Sequence, residues 1–161
     1  MKMVLQTKSA DDTRELAAAI APLVEPRDTL LLAGDLGAGK TSFTQGLARA
    51  LGVTEQVTSP TFVLMHAYEG SAFPLLHVDV YRVDRLQEVV DLGLEELIDH
   101  GAAAVIEWGD VAAPALPPDY LDVRIEFGSG DDDREFFVRP IGGRWAARAA
   151  LLERAVNRWL S

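Results

Sequence analysis

Hydrophobic and polar positions along this chain alternate with two different periods, and the changes between them mark out its elements. Residues 3–6 alternate as a short strand. Ser9, followed by Asp11 and Asp12, has the form of a helix N-cap with its acidic partner, and Leu16, Ile20 and Leu23 then recur at helical spacing until Pro26 stops them. Residues 29–33 read Thr-Leu-Leu-Leu-Ala, an unbroken apolar run expected of a strand covered on both faces. A helix is predicted from Thr41 to Leu51, with Phe43, Leu47 and Leu51 on one side and Gly52 at its end.

Further along, strand-like runs at 62–68 and 75–81 flank a polar, Gly- and Pro-containing segment, the spacing of a hairpin. Helical turns follow over 85–99, broken near Gly93, and residues 103–106 form a second short buried run. Pro114, Pro117 and Pro118 mark a loop. Residues 120–127 and 135–139 alternate about a Gly- and Asp-rich turn, predicting another hairpin, and a single helix is expected from Arg144 to Leu160. Buried parallel-type strands, helices and hairpins together imply an α/β sandwich with a mixed, partly antiparallel sheet.

The junction between the apolar run and the second helix carries the chemistry. Gly34-Asp35-Leu36-Gly37-Ala38-Gly39-Lys40-Thr41 spells G-x-x-x-x-G-K-[ST], the pattern of a phosphate-cradling loop between strand and helix. Gly37 and Gly39 allow backbone angles that turn successive amides inward, so residues Asp35 to Ser42 (Asp35, Leu36, Gly37, Ala38, Gly39, Lys40, Thr41 and Ser42) are the candidate nucleotide-binding set. Lys40 would reach the outer phosphates and Thr41 would ligate Mg²⁺. The bland alternative is a Gly-rich turn that merely joins strand to helix.

Composition narrows the possibilities. At 161 residues and 48% hydrophobic, with no low-complexity stretch, the chain is expected to form one domain over 1–161. It has no Cys, which excludes a disulfide framework and thiolate chemistry. The first residues lack the apolar core of a signal peptide and no segment has the apolar length of a membrane span, so a cytoplasmic location is expected. A formal charge of −10 argues against a broad nucleic-acid-binding surface, because neutralising phosphates supplies most of that affinity. On a helical projection of 144–160, Arg144, Arg148, Arg154 and Arg158 share one face; that face suits tRNA or an acidic partner, although a solvated face paired with acids is the ordinary explanation.

A phosphate loop needs acidic partners. Glu107 ends the run 103–106 and Asp79 ends the run 75–78, which would place both at the carboxyl ends of strands, where ligands of open α/β sheets bind. Glu107 could hold magnesium through water, and Asp79 could orient an attacking water or serve the metal's outer shell. Each could equally be a strand-end carboxylate that faces solvent or caps a turn. His77 reads as a hydrogen-bonded, half-buried histidine, since no second His or Cys stands at metal spacing. Trp108 suits either stacking near a nucleotide or ordinary packing, and Arg82 either a phosphate or an acid.

Taken together, the loop at 34–41, then Ser59-Pro60-Thr61-Phe62, then His77-Val78-Asp79-Val80-Tyr81-Arg82, then Ile106-Glu107-Trp108, resemble in order and spacing the TsaE (YjeE) family. Gly93-Leu94-Glu95-Glu96 resembles that family's intervening segment. The resemblance implies a small P-loop NTPase-like ATPase with a three-layer fold, binding ATP or ADP with Mg²⁺ and working with TsaB and TsaD in making the N6-threonylcarbamoyladenosine of tRNA. It assigns Glu107 to magnesium and Asp79 to the neighbourhood of the phosphates, and it makes Thr61 a sensor of the terminal phosphate. Ser42, Val80 and Gly109-Asp110 depart from the family's usual Thr, Leu and Pro-Glu at those places. Two other classes suit the phosphate loop, a small-molecule kinase and a nucleotide-gated binding protein with negligible hydrolysis. The only Asn is Asn157, so the Asn-Lys-x-Asp guanine-reading motif is absent.

Overall fold

The unbroken apolar run after Asp28 becomes β2 (Thr29–Gly34), the middle strand of a seven-stranded sheet. The computed structural model describes residues 1–60, 65–80, 87–88, 91, 93–108 and 118–161, with the Trp108 side chain excepted. On one side β2 pairs in parallel with β5 (Ala103–Trp108), then comes β4 (Pro74–Val80), also parallel, and β3 (Met65–Glu69) closes that edge antiparallel. On the other side β2 pairs in parallel with β6 (Tyr120–Phe127), followed by β7 (Arg134–Ile141) and β1 (Met3–Thr7), both antiparallel to their neighbours. The order is β1-β7-β6-β2-β5-β4-β3, a mixed sheet of the predicted kind.

Both faces are covered, which is why the central strands read as continuous apolar runs rather than alternating ones. Leu30, Leu32, Ala103 and Val105 point into a core shared with α1 (Ala10–Ile20) and α2 (Lys40–Ala50), whereas Leu31, Ala104 and Ile106 point to the opposite face, where α3 (Leu94–Asp99) packs through Leu94 and Ile98. Fully buried leucines such as Leu30 and Leu32 each stabilise this arrangement by about 2–5 kcal/mol relative to alanine.

The predicted start of α1 is realised as a cap. Asp12 N–H donates to Ser9 Oγ at 3.0 Å, and the Asp12 carboxylate accepts from Lys8 N–H at 3.0 Å. Against α1 lies α2 at very close range: a Cβ on Gly46 would fall 2.2 Å from the Arg14 carbonyl oxygen, so only glycine permits this approach. Both predicted hairpins exist, as β3–β4 and β6–β7, although residues 62–64 and 81 of the first prediction lie outside the described residues. Gly93, at φ +81°, marks the expected break and opens α3. Pro114 and Pro117 also lie outside the described residues.

The C-terminal segment departs from expectation. Instead of one helix it forms α4 (Gly143–Ala146), α5 (Ala149–Ala155) and a 3-10 turn at Asn157–Trp159. Its apolar residues Trp145, Leu152, Val156 and Trp159 dock on the core. Its arginines do not share a face, because Arg148 turns inward. Arg148 clasps the buried Asp28 carboxylate with Nη1 at 2.6 Å and Nη2 at 2.9 Å, and also donates to the Leu23 carbonyl at 2.6 Å. Arg144 reaches the same carboxylate at 3.0 Å and Arg158 pairs with Glu15, while Arg154 is exposed and has no ion pair among the described residues. The hydrogen bonds to Asp28 hold the Arg148 guanidinium above its ordinary pKa, against the opposing effect of burial.

Candidate functional site

The loop that leaves β2 is shaped by its glycines. Gly37 and Gly39 have φ of +82° and +116°, left-handed angles that strain any other residue, and a tight turn closes from Ala38 N–H to the Asp35 carbonyl at 3.0 Å. Gly34 sits against β6, where a Cβ would meet the Ile125 carbonyl oxygen at 2.8 Å. At the tip Asp35, Leu36 and Gly37 are exposed, Leu36 to 95%.

Helix α2 begins with no side-chain cap, and its first backbone bond runs from Phe43 N–H to the Gly39 carbonyl. Amides before that point stand outside the helical ladder, and with the helix macrodipole they form an electropositive end. Lys40 is only 6% exposed and folds back over the loop, its Nζ donating to the Gly34 carbonyl at 2.6 Å. A buried ammonium at the mouth of a glycine cradle whose space at Gly37 is open fits a polyphosphate chemically. Thr41 and Ser42, half-buried, complete the first turn.

Sheet register brings the two carboxylates together. Leu32, Glu107 and Asp79 are neighbours across β2, β5 and β4 and therefore point to one face, the face covered by α2. Glu107 is 1% and Asp79 3% exposed, so neither is a solvated strand end. Glu107 Oε2 lies 3.1 Å from His77 Nε2, and His77 is fully rather than half buried. Among the described residues no three His, Asp or Glu side chains gather to hold a metal alone. One hydroxyl, one carboxylate, water and phosphate oxygens form an ordinary donor set for Mg²⁺, and Thr41 and Glu107 fit it chemically.

One residue of the site and one contact had no signal in the sequence. Arg134, at the start of β7, donates from Nε to the Ala38 carbonyl at 3.0 Å and from Nη2 to the Gly37 carbonyl at 3.3 Å, bracing the loop from outside. With Thr13, Gly39, Ser42 and Asp132 it lines a cleft of about 130 Å³ beside the loop. The other is His77 as a partner of Glu107, a contact that depends on the pairing of β4 with β5. Thr61 and Arg82 lie outside the described residues.

Fold and site together define an α/β protein organised around a strand, a glycine loop and a helix opened by a buried lysine, with paired acids on the adjacent strands. The profile of the family "Threonylcarbamoyl adenosine biosynthesis protein TsaE" matches residues 7–136, and the chain belongs to the TsaE family. The Bacillus subtilis tRNA threonylcarbamoyladenosine biosynthesis protein TsaE is 38% identical over 152 residues, covering 94% of each chain. Its Streptomyces coelicolor counterpart is 42% identical over 139 residues, covering 83% of this chain and 93% of the other. The crystal structure of Bacillus subtilis YdiB superimposes with a TM-score of 0.80 at 34% identity, over 96% of this chain and 95% of that one.

Proposed function

We propose that this chain binds ATP with Mg²⁺ and hydrolyses it slowly, in support of the protein assembly that forms threonylcarbamoyladenosine in tRNA. The observation that carries the reading is the buried Lys40 at the mouth of the glycine loop, on the same side of the sheet as the Glu107–Asp79 pair. Membership of the TsaE family and the names of the relatives support the pathway. Proteins of the TsaB and TsaD type are the proposed partners. No described helix is long and apolar enough to cross a membrane.

In this reading Lys40 exchanges its bond to the Gly34 carbonyl for a charge-assisted bond to an outer phosphate oxygen, while the amides of the loop and of the first turn of α2 receive the rest of the polyphosphate. Thr41 and Glu107 hold Mg²⁺, which when bound supplies further charge neutralisation at the phosphates. Asp79, buried beside Glu107, orients the attacking water and accepts its proton. Arg134 keeps the loop's carbonyls turned outward. These residues neutralise charge and position groups, and no described arginine is placed to follow charge that develops at the transferred phosphoryl group, so turnover by the chain alone is slow and an activating group comes from a partner.

Phosphate release from ATP by the purified chain, with and without TsaB- and TsaD-type proteins, tests this. Slow basal release raised at least about tenfold by the partners is expected. Rapid transfer of phosphate to a metabolite by the chain alone would point instead to a kinase.

A further inference from the structure

The register that sets Asp79 beside Glu107 sets His77 one diagonal step away on β4, and the two side chains meet out of reach of solvent. An ionised carboxylate can only accept, so His77 Nε2 carries the hydrogen and donates to Glu107 Oε2 across 3.1 Å. The other ring nitrogen, Nδ1, is buried with no partner among the described residues. The imidazole thus directs its Nε2–H at a carboxylate of the site. A histidine serving only to fill the core is poorly suited to this place, because the unpaired Nδ1 carries a desolvation cost that an apolar side chain of similar size would avoid.

We propose that His77 is a positioning residue for Glu107. By tying down Oε2 it fixes the carboxylate's rotamer inside the core and leaves Oε1, which takes no hydrogen bond from a described residue, as the oxygen offered to the divalent cation. This rests on the nucleotide and magnesium reading of the site. Without the bond, Glu107 would have to find a second donor in a dry environment or turn away, and the ordered geometry a metal needs would be lost before the metal arrives.

The test compares His77→Leu, which removes the donor, with His77→Gln, whose amide N–H extends about as far from the backbone. Mn²⁺ affinity of the ADP complex is read by electron paramagnetic resonance, and ADP affinity in EDTA by calorimetry. His77→Leu should weaken Mn²⁺ binding roughly tenfold or more while ADP binding in EDTA stays within about twofold, and His77→Gln should recover most of the loss. Unchanged Mn²⁺ affinity in the Leu variant, equal weakness in both variants, or an equal loss of ADP affinity in EDTA overturns the assignment.

Should the Leu variant fail to fold, the wild-type protein still decides. Adding Mg²⁺ to its ADP complex should move the His77 imidazole nitrogen resonances, which ADP without metal leaves in place; resonances that do not respond to the metal overturn the proposal. Wild-type protein that binds ADP with no metal dependence removes the magnesium reading and this role with it. Metal dependence retained by wild type and by the Leu variant alike removes only the role of His77.

Discussion

Replacing Arg148 with Met strips the buried Asp28 carboxylate of its main partner. Asp28 immediately precedes β2, and its side chain, shielded from solvent, receives two bonds from Arg148, one from Arg144 and one from the Glu25 amide. Removing one member of a buried ion pair costs about 3–5 kcal/mol, because the remaining charge loses its compensation. Arg144, about a third exposed, and the Glu25 amide still attend Asp28, so the lower end applies, about 3 kcal/mol, or roughly 6–12 °C in Tm for a chain of this size. Met preserves packing against Trp145, over whose ring the guanidinium stacks at 4.1 Å, so the loss reports the ion pair rather than a cavity. Urea unfolding followed by circular dichroism measures it, with Asp28→Asn and the double variant completing a cycle. The double variant should be less destabilised than the sum of the singles by about 1–3 kcal/mol. A loss below about 1 kcal/mol for Arg148→Met, or strict additivity, would refute the reasoning.

Other outcomes follow from the same geometry. Because the folded Arg148 pKa is raised, its contribution is complete below the ordinary arginine pKa and fades only as pH climbs through the folded value; the Arg148→Met loss should therefore agree at pH 7 and pH 10 to within about 0.5 kcal/mol by denaturant unfolding. Gly46→Ala places a methyl 2.2 Å from the Arg14 carbonyl, and the strain of about 1–3 kcal/mol should outweigh a helix-propensity gain of about 1 kcal/mol, giving a lower Tm by calorimetric scanning. Glu107→Ala should raise the Mg²⁺ concentration needed for half-maximal ADP binding by roughly tenfold or more, while ADP affinity in EDTA changes little.

Much of this architecture could be read from local patterns. The run 29–33, the cap at Ser9 and both hairpins obey short-range rules, and the structure realises each of them. The glycine loop was legible for the same reason, since its residue types answer a local backbone requirement at Gly37 and Gly39. Long-range pairings were not. Periodicity cannot say that β6 rather than another strand lies beside β2, and hence that Arg134 reaches the loop; nor can it bring His77 against Glu107. The C-terminal break was hidden because residues 144–160 contain neither Gly nor Pro. Tertiary contacts impose it: Arg148 must turn toward Asp28 while Trp159 Nε1 donates to Asp12 at 2.8 Å.

Titrating ATP into the folded chain with Mg²⁺ in a calorimeter, beside Lys40→Ala, tests the proposed nucleotide site most directly. One saturable site is predicted, weakened roughly tenfold to a hundredfold in the variant by loss of a charge-assisted bond worth about 1.5–3 kcal/mol. Absence of binding by the wild-type chain, or equal binding by Lys40→Ala, would contradict the account.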